Sequence, residues 1–296
     1  MDIFEADELN MVVSKKKVKD KVAENSVNYG DLVGKIPGIE FMTVLEVLNV
    51  VGCDAKIAIH EGLLECKLVD PSHVSMVHVN YGAQPLHNLG KAQRADIDVN
   101  TLLNLMKKAK WGKTTGRGDA KTYAETLDIH INDDKKHLTI VDESEDKKKV
   151  VRYNLMSNVS TWPSTPQMSL PAKVTLSGED FLNKVELCKS VGDLMKIEIE
   201  DGKLITSTVL GEHENSTSVS TELINETAKH ENGRSRAQYS LSYLHGIAKA
   251  LKKQQITIET GDNYPIRITV DWDFGYESER KLNVQFFLAP RMESDY

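Results

Sequence analysis

The amino-acid sequence predicts an α+β protein of two similar domains, each an antiparallel β-sheet carrying two helices. Three observations predict it. The chain repeats itself at an offset of 140 positions: Lys56-Ile57-Ala58-Ile59-His60-Glu61-Gly62 reads as Lys196-Ile197-Glu198-Ile199-Glu200-Asp201-Gly202. Upstream, Lys35-Ile36-Pro37-Gly38 with Phe41 matches Thr175-Leu176-Ser177-Gly178 with Phe181. Each copy has an amphipathic helical stretch, then alternating strands that run into Glu61-Gly62 or Asp201-Gly202, strong hairpin signals. A repeat this long exceeds the ~20–50 residues of a solenoid unit, so each copy is a whole domain. Two similar domains make a pseudo-symmetric object that closes into a ring if its ends match.

Residues 1–30 have no counterpart in the second half and read as an N-terminal extension. Its Lys15, Lys16, Lys17, Lys19 and Lys21 suit a solvated tail, with phosphate contact as the alternative. The first domain spans 31–155. A strand at about 32–36 leads through Pro37-Gly38 into a helix of about 38–51, where Phe41, Val44, Leu45 and Leu48 keep helical spacing. A second helix is expected at about 98–111, then strands at 126–132, 137–142 and 147–155. Residues 156–171 contain Pro163, Pro166 and Pro171; proline lacks a backbone donor, so this stretch is the linker. The second domain, 172–296, repeats the plan. Ser177 is a good N-cap, Glu179 and Asp180 suit the first helical turn, and Phe181, Leu182, Val185 and Cys188 form the apolar stripe. A helix at about 240–253 and strands at 255–260, 265–272 and 282–288 complete it.

Composition narrows the function. With 296 residues, 40% hydrophobic and 27% charged, the chain can bury two ordinary cores. No apolar run approaches the ~20 residues of a membrane span, and no signal-peptide core opens the sequence, so no membrane partner is expected. Cys53, Cys66 and Cys188 lie far apart with no CxxC pair, which points to reduced thiols in an intracellular compartment and to no metal or cofactor. A net charge of −7 argues against gripping nucleic acid with the whole surface, so any DNA-facing charge must be concentrated on one side. Gly112-Lys113-Thr114 imitates a phosphate-binding loop, but Lys107 stands where that motif needs glycine. Asp128, Asp133 and Asp134, the best carboxylate cluster for a nuclease, fall at a polar hairpin turn where acidic residues serve solubility.

Three blocks carry a family resemblance. The stretch Glu61-Gly62-Leu63-Leu64-Glu65-Cys66-Lys67-Leu68-Val69-Asp70-Pro71-Ser72-His73-Val74-Ser75-Met76-Val77 resembles the first-domain signature of sliding clamps of the proliferating-cell-nuclear-antigen (PCNA) type. Phe286-Phe287-Leu288-Ala289-Pro290-Arg291-Met292-Glu293 resembles that family's closing segment, and Tyr239-Ser240-Leu241-Ser242-Tyr243-Leu244 through Lys249-Ala250 resembles its last helix. The similarity covers roughly residues 32–296 and has an archaeal or viral cast. It implies the DNA clamp fold, assembled as a homotrimer into a pseudo-six-fold ring, with strands outside and helices lining a hole for duplex DNA of any sequence. It implies no catalysis. Such a clamp, placed by a clamp loader, tethers DNA polymerase, nuclease and ligase through short peptide motifs during replication and repair. It works with DNA, in the cytoplasm or nucleoid of an archaeal or viral system or in a eukaryotic nucleus. The alternative is one subunit of a heterotrimeric or checkpoint-type clamp that signals.

The resemblance also places residues. Lys107, Lys108 and Lys110 near the end of one helix match Lys249, Lys252 and Lys253 near the end of another. Positions three apart share a helix face, so Lys107 with Lys110 and Lys249 with Lys252 form basic stripes toward DNA. Lys184 and Lys189 join them from the second domain's first helix, whereas its counterpart offers Glu40, Thr43 and Glu46 and no lysine. A partner-peptide groove is expected from Val69, His73, Val74 and Met76, from Met156, Val159 and Trp162 of the linker, and from Pro265, Phe287, Ala289 and Pro290. Trp162 is either a binding platform or a lid on its own domain. Subunits are expected to close by β-pairing between Val150, Val151, Arg152, Tyr153 and Leu155 of one chain and Leu204, Ile205, Thr206, Thr208 and Leu210 of the next, two apolar edges in need of cover.

Overall fold

Four copies of a β-α-β-β-β module build the chain, a finer subdivision than the two-fold repeat visible in the sequence. The computed structural model describes residues 29–60, 63–82, 93–111, 126–132, 136–144, 147–156, 161–200, 203–210, 217–224, 234–275 and 280–291. The first module is β1 (Asp31–Pro37), α1 (Gly38–Leu48), β2 (Asp54–His60), β3 (Leu63–Val69) and β4 (Ser75–Gly82). The second is β5 (Gln93–Asp98), α2 (Val99–Ala109), β6 (Thr126–Ile131), β7 (His137–Ser144) and β8 (Lys147–Asn154). The third is β9 (Ala172–Ser177), α3 (Gly178–Lys189), β10 (Leu194–Glu200), β11 (Lys203–Leu210) and β12 (Thr217–Ile224). The fourth is β13 (Ser235–Ser240), α4 (Leu241–Leu251), β14 (Gln255–Thr260), β15 (Ile266–Asp271) and β16 (Lys281–Leu288). The α+β class is as expected. Strands β4, β5, β12 and β13, to which the sequence reading assigned no element, complete the sheets.

Local chemistry sets the helix ends. Ser177 accepts the amide of Asp180 at 3.0 Å and caps α3, and Asp98 accepts that of Thr101 at 2.8 Å and caps α2. Lys110 takes a left-handed conformation (φ 62°) that stops α2 two residues after Lys108. Gly178 sits where α3 meets the end of α4, and its amide donates to the Gln254 carbonyl at 2.7 Å. A Cβ there would lie 1.9 Å from the Leu251 carbonyl oxygen, which belongs to backbone and cannot swing away. Gly178→Ala is therefore expected to cost about 2–3 kcal/mol by overpacking, seen as a lower denaturant midpoint at unchanged slope.

The strands form three antiparallel sheets, ordered β1-β6-β7-β8, β12-β11-β10-β13 and β5-β2-β3-β4-β16-β15-β14-β9. The eight-stranded sheet spans both halves, joined where β4 pairs with β16 from Ser75↔Leu288 to Gly82↔Lys281. One apolar core runs through both halves, from Val44, Leu48 and Val79 to Phe181, Val185 and Leu244. Polar contacts also cross the junction: the Tyr243 hydroxyl donates to Asp70 at 3.1 Å, and buried Tyr81 bonds both Glu40 and Arg280.

Two expected interface assignments need correction. β11 is paired on one side by β10 and on the other by β12, so Leu204, Ile205, Thr206, Thr208 and Leu210 lie in an interior strand with no edge to offer. Of that sheet's two outer strands, β13 is bridged at Gln238 by Arg291, and β12 has no second partner strand among the described residues. Along β8, strand alternation turns Tyr153 and Leu155 into their own core, and the Tyr153 hydroxyl accepts the Asp98 amide at 2.7 Å. Val151 packs partly on that core, whereas Val150 and Arg152 face out.

Candidate functional site

The helices pair off, α1 on α2 and α3 on α4, and α4 abuts the end of α1, where a Cβ on Gly246 would lie 3.6 Å from Val50 Cγ1. On this helical side Lys107, Lys108, Lys110, Lys189, Lys249, Lys252 and Lys253 are exposed. Three of them have company. Lys107 stands 3.7 Å from Glu46, Lys252 3.5 Å from Glu179, and Lys189 donates to His245 Nδ1 at 2.9 Å. Partial burial and the charges of Lys189 and Lys249 hold the His245 imidazolium below its usual range, which keeps Nδ1 available as that acceptor.

Lys184 departs from expectation. It is buried, its ammonium donates to the Thr221 hydroxyl at 2.9 Å, and Thr221 meets Thr206 at 2.8 Å. Burial lowers its pKa. Its counterpart 140 positions earlier is the fully buried Val44, so α3 covers with a polar cluster what α1 covers with hydrocarbon. Lys184 ties α3 to β12 and does not stand exposed with the other lysines.

On the opposite face of the sheet most of the expected partner-binding residues gather around the β4–β16 junction. Val77, Val79, Val284 and Phe286 point into the core, so Met76 and Phe287, directly paired across the strands, stand on the outer face. Val69 pairs with Met76 from β3. Asp70 builds the adjoining turn by accepting the amides of Ser72 (3.1 Å) and Val74 (2.7 Å), with His73 left-handed at φ 56°. Burial alone would raise the Asp70 pKa, but bonds from the Ser75 amide, the Tyr243 hydroxyl and those turn amides outweigh it and lower it. The Val74 carbonyl accepts the Ala289 amide at 2.8 Å, and Arg291 then donates to Gln238 on β13 at 2.7 Å. Pro265 precedes Ile266, the partner of Leu288. Thus Val69, His73, Val74, Met76, Pro265, Phe287, Ala289 and Pro290 come together.

Other expected groove residues do not join them. Met156 is exposed, but its amide donates to Asp96 on β5, and β2 and β3 separate that strand from β4. Trp162 is half-buried on its own sheet, with Lys67 Nζ 5.4 Å and Arg94 Cζ 5.1 Å from its ring centre. That favours the lid over the platform. Val159, the loop of residues 112–122, the extension lysines and the acidic pair Asp133 and Asp134 lie outside the described residues. Asp128 pairs with Lys35 at 3.1 Å. Tyr264, 48% exposed beside Pro265, is a large apolar side chain on this face that the sequence reading did not name.

A further surface emerges from comparing the modules. In module order β8 corresponds to β16 and β12 to β4, so the junction sealed inside the chain recurs as two open edges. Leu187 on α3 is 44% exposed, whereas its counterpart Val47 on α1, beside α4, is 1% exposed. Equivalent places on the two helices thus carry an exposed leucine and a buried valine, and a leucine so exposed is an apolar surface feature.

No family model matches the chain. In sequence it is similar to the DNA polymerase sliding clamp of Methanocella arvoryzae, 25% identical over 267 residues that cover 86% of this chain and 96% of that one. In fold it is similar to the PCNA of A. fulgidus solved with the C-terminal region of FEN-1 (TM-score 0.68, 19% identity, covering 88% of this chain and 98% of that one). The PCNA of Thermococcus kodakaraensis is equally similar in fold (TM-score 0.68, 17% identity, 87% and 98% covered).

Proposed function

We propose that this chain, a sliding clamp of the PCNA family in sequence likeness and fold, acts by closing as a homotrimer around duplex DNA and tethering replication and repair enzymes to it. Residues 31–155 and 172–296 serve as the two clamp domains and 156–171 as the connecting linker. The carrying observation is the match between the filled β4–β16 junction and the open β8 and β12 edges. Three chains joined β8 to β12 repeat the internal junction three more times, which gives six similar domains and leaves no free edge there. Charge supports pairing of like chains. The β8 segment carries Lys147, Lys148, Lys149 and Arg152, while residues 204–228 around β12 carry Glu212, Glu214, Glu222 and Glu226 and no lysine or arginine. That self-complementarity favours a homotrimer over a heterotrimeric checkpoint-type ring, in which the opposing edge would belong to a different chain.

The exposed lysines of α2 and α4 would face the phosphates, and the groove of Met76, Phe287, Val74, Ala289 and Pro265 would take aromatic anchors of a partner's short peptide. The work is tethering: no bond is made or broken, and the clamp acts where the DNA is. Two measurements test the reading. Protein expressed alone should run in native mass measurement at three times the 33.1 kDa chain mass; a monomer, or a trimer only with another chain, overturns homotypic closure. Met76→Ala combined with Ala289→Asp should abolish stimulation of a clamp-dependent polymerase and leave the trimer intact. Stimulation unchanged by that pair would move the partner site elsewhere.

A further inference from the structure

The linker lies strapped to the sheet. It leaves β8 beside β5, where Met156 bridges Asp96, and it reaches β9 after Leu170, which is buried near Gly261. Its described residues 161–170 are held to the outer face at two points. Trp162 sits within cation–π distance of both Lys67 on β3 and Arg94 on β5. Three residues on, the Thr165 hydroxyl meets His78 Nδ1 on β4 at 3.2 Å. The two points are wired together underneath: His78 Nε2 contacts Glu65 at 2.9 Å, and Glu65 pairs with Lys67 at 3.2 Å. Lys67 is only 7% exposed, far less than a surface lysine usually shows. Met76, two residues from His78 on the same face, is 7% exposed and its partner Phe287 4%, so the groove floor is covered although it faces away from the core.

We propose that this linker is a strap that closes the partner groove, latched by Trp162 against Lys67 and Arg94 and by Thr165 on His78, and that a partner peptide binds by competing with it. The proposal rests on the groove reading above. Trp162 and Thr165 are positioning residues: by holding the strap they set the fraction of clamps whose groove is open, and apparent affinity scales with that fraction. Loss of the latch should therefore tighten peptide binding, the opposite of what loss of a binding platform would do.

The test uses the full-length clamp and two readouts. Hydrogen exchange of the linker amides reports the latch without any partner, and calorimetric titration with a synthetic FEN-1 C-terminal peptide reports the groove. Trp162→Ala and Thr165→Val should each speed linker exchange, and Trp162→Ala should tighten the peptide roughly tenfold with ring mass unchanged. Trp162→Phe, which keeps an aromatic face for the two cations, should restore most of the wild-type values. Unchanged linker exchange in Trp162→Ala overturns the latch. Faster exchange with weaker peptide binding overturns gating and makes Trp162 a platform. Faster exchange with no peptide binding by any variant, wild type included, overturns the groove reading and the gating with it, but leaves the latch standing.

Discussion

A clamp carrying Leu187→Asp and Arg152→Glu is expected to be a 33.1 kDa monomer with nearly unchanged thermal stability of the chain itself. Leu187 is 44% exposed in the single chain, so aspartate there stays solvated and costs the fold little. In the ring the same position would be buried against the next subunit, as its counterpart Val47 is buried within this chain. An unpaired carboxylate placed there costs about 3–5 kcal/mol. Arg152→Glu adds a like-charge clash, because β8 would then offer a carboxylate to the acidic segment around β12. Each ring has three such junctions, and a loss of that size at each weakens association by a factor of about 150 to 5,000 per contact. Sedimentation at micromolar concentration reads the outcome. A double variant that stays trimeric would place the closure somewhere other than the β8 and β12 edges.

The sequence disclosed the fold more readily than the surfaces. The offset between Gly62 and Gly202 and the apolar stripes of Phe41 and Phe181 are set by core packing, and packing leaves its periodicity in the residue order. Strands β12 and β13 left a weaker mark. Thr217-Ser218-Val219-Ser220-Thr221 offers a single apolar residue, too few to show alternation, and its Thr221 bonds the buried Lys184 of α3. Strand β11 reads as an edge because its Leu204-Ile205-Thr206 run is apolar enough to need covering, but its cover comes from β12 in the same chain. Lys184 read as a surface lysine because burial of a single ammonium depends on Thr221, 37 positions away. The groove was legible where neighbouring strands bring its residues together, as with Met76 and Phe287. It was not legible in the linker, where the position of Trp162 is set by Lys67 and Arg94, two cations whose relation to it has no sequence spacing to betray it.

Clamps loaded on circular duplex DNA are expected to remain bound through a high-salt wash and to be lost when the circle is cut. The charge inventory makes this more than a general property of rings. Of the eight lysines first assigned to DNA, Lys184 is buried, and Lys107, Lys189 and Lys252 have neighbours of their own in Glu46, His245 and Glu179. The helix α1 brings Glu46 and no lysine to that surface. Among the described residues few phosphate contacts remain, and each weakens with salt by about 0.9 log units per decade of concentration. Direct affinity of such a surface is small and vanishes in high salt, so any retention that survives must come from encirclement. Gel filtration of labelled clamp with intact or linearised plasmid separates the two terms. Dissociation from intact circles in high salt would mean that no closed ring surrounds the DNA, and persistence on cut molecules would mean that contacts, against this inventory, hold it. The monomeric double variant supplies the matching control: with the same lysines and no closure, it should be absent from both circles and linear DNA after the wash.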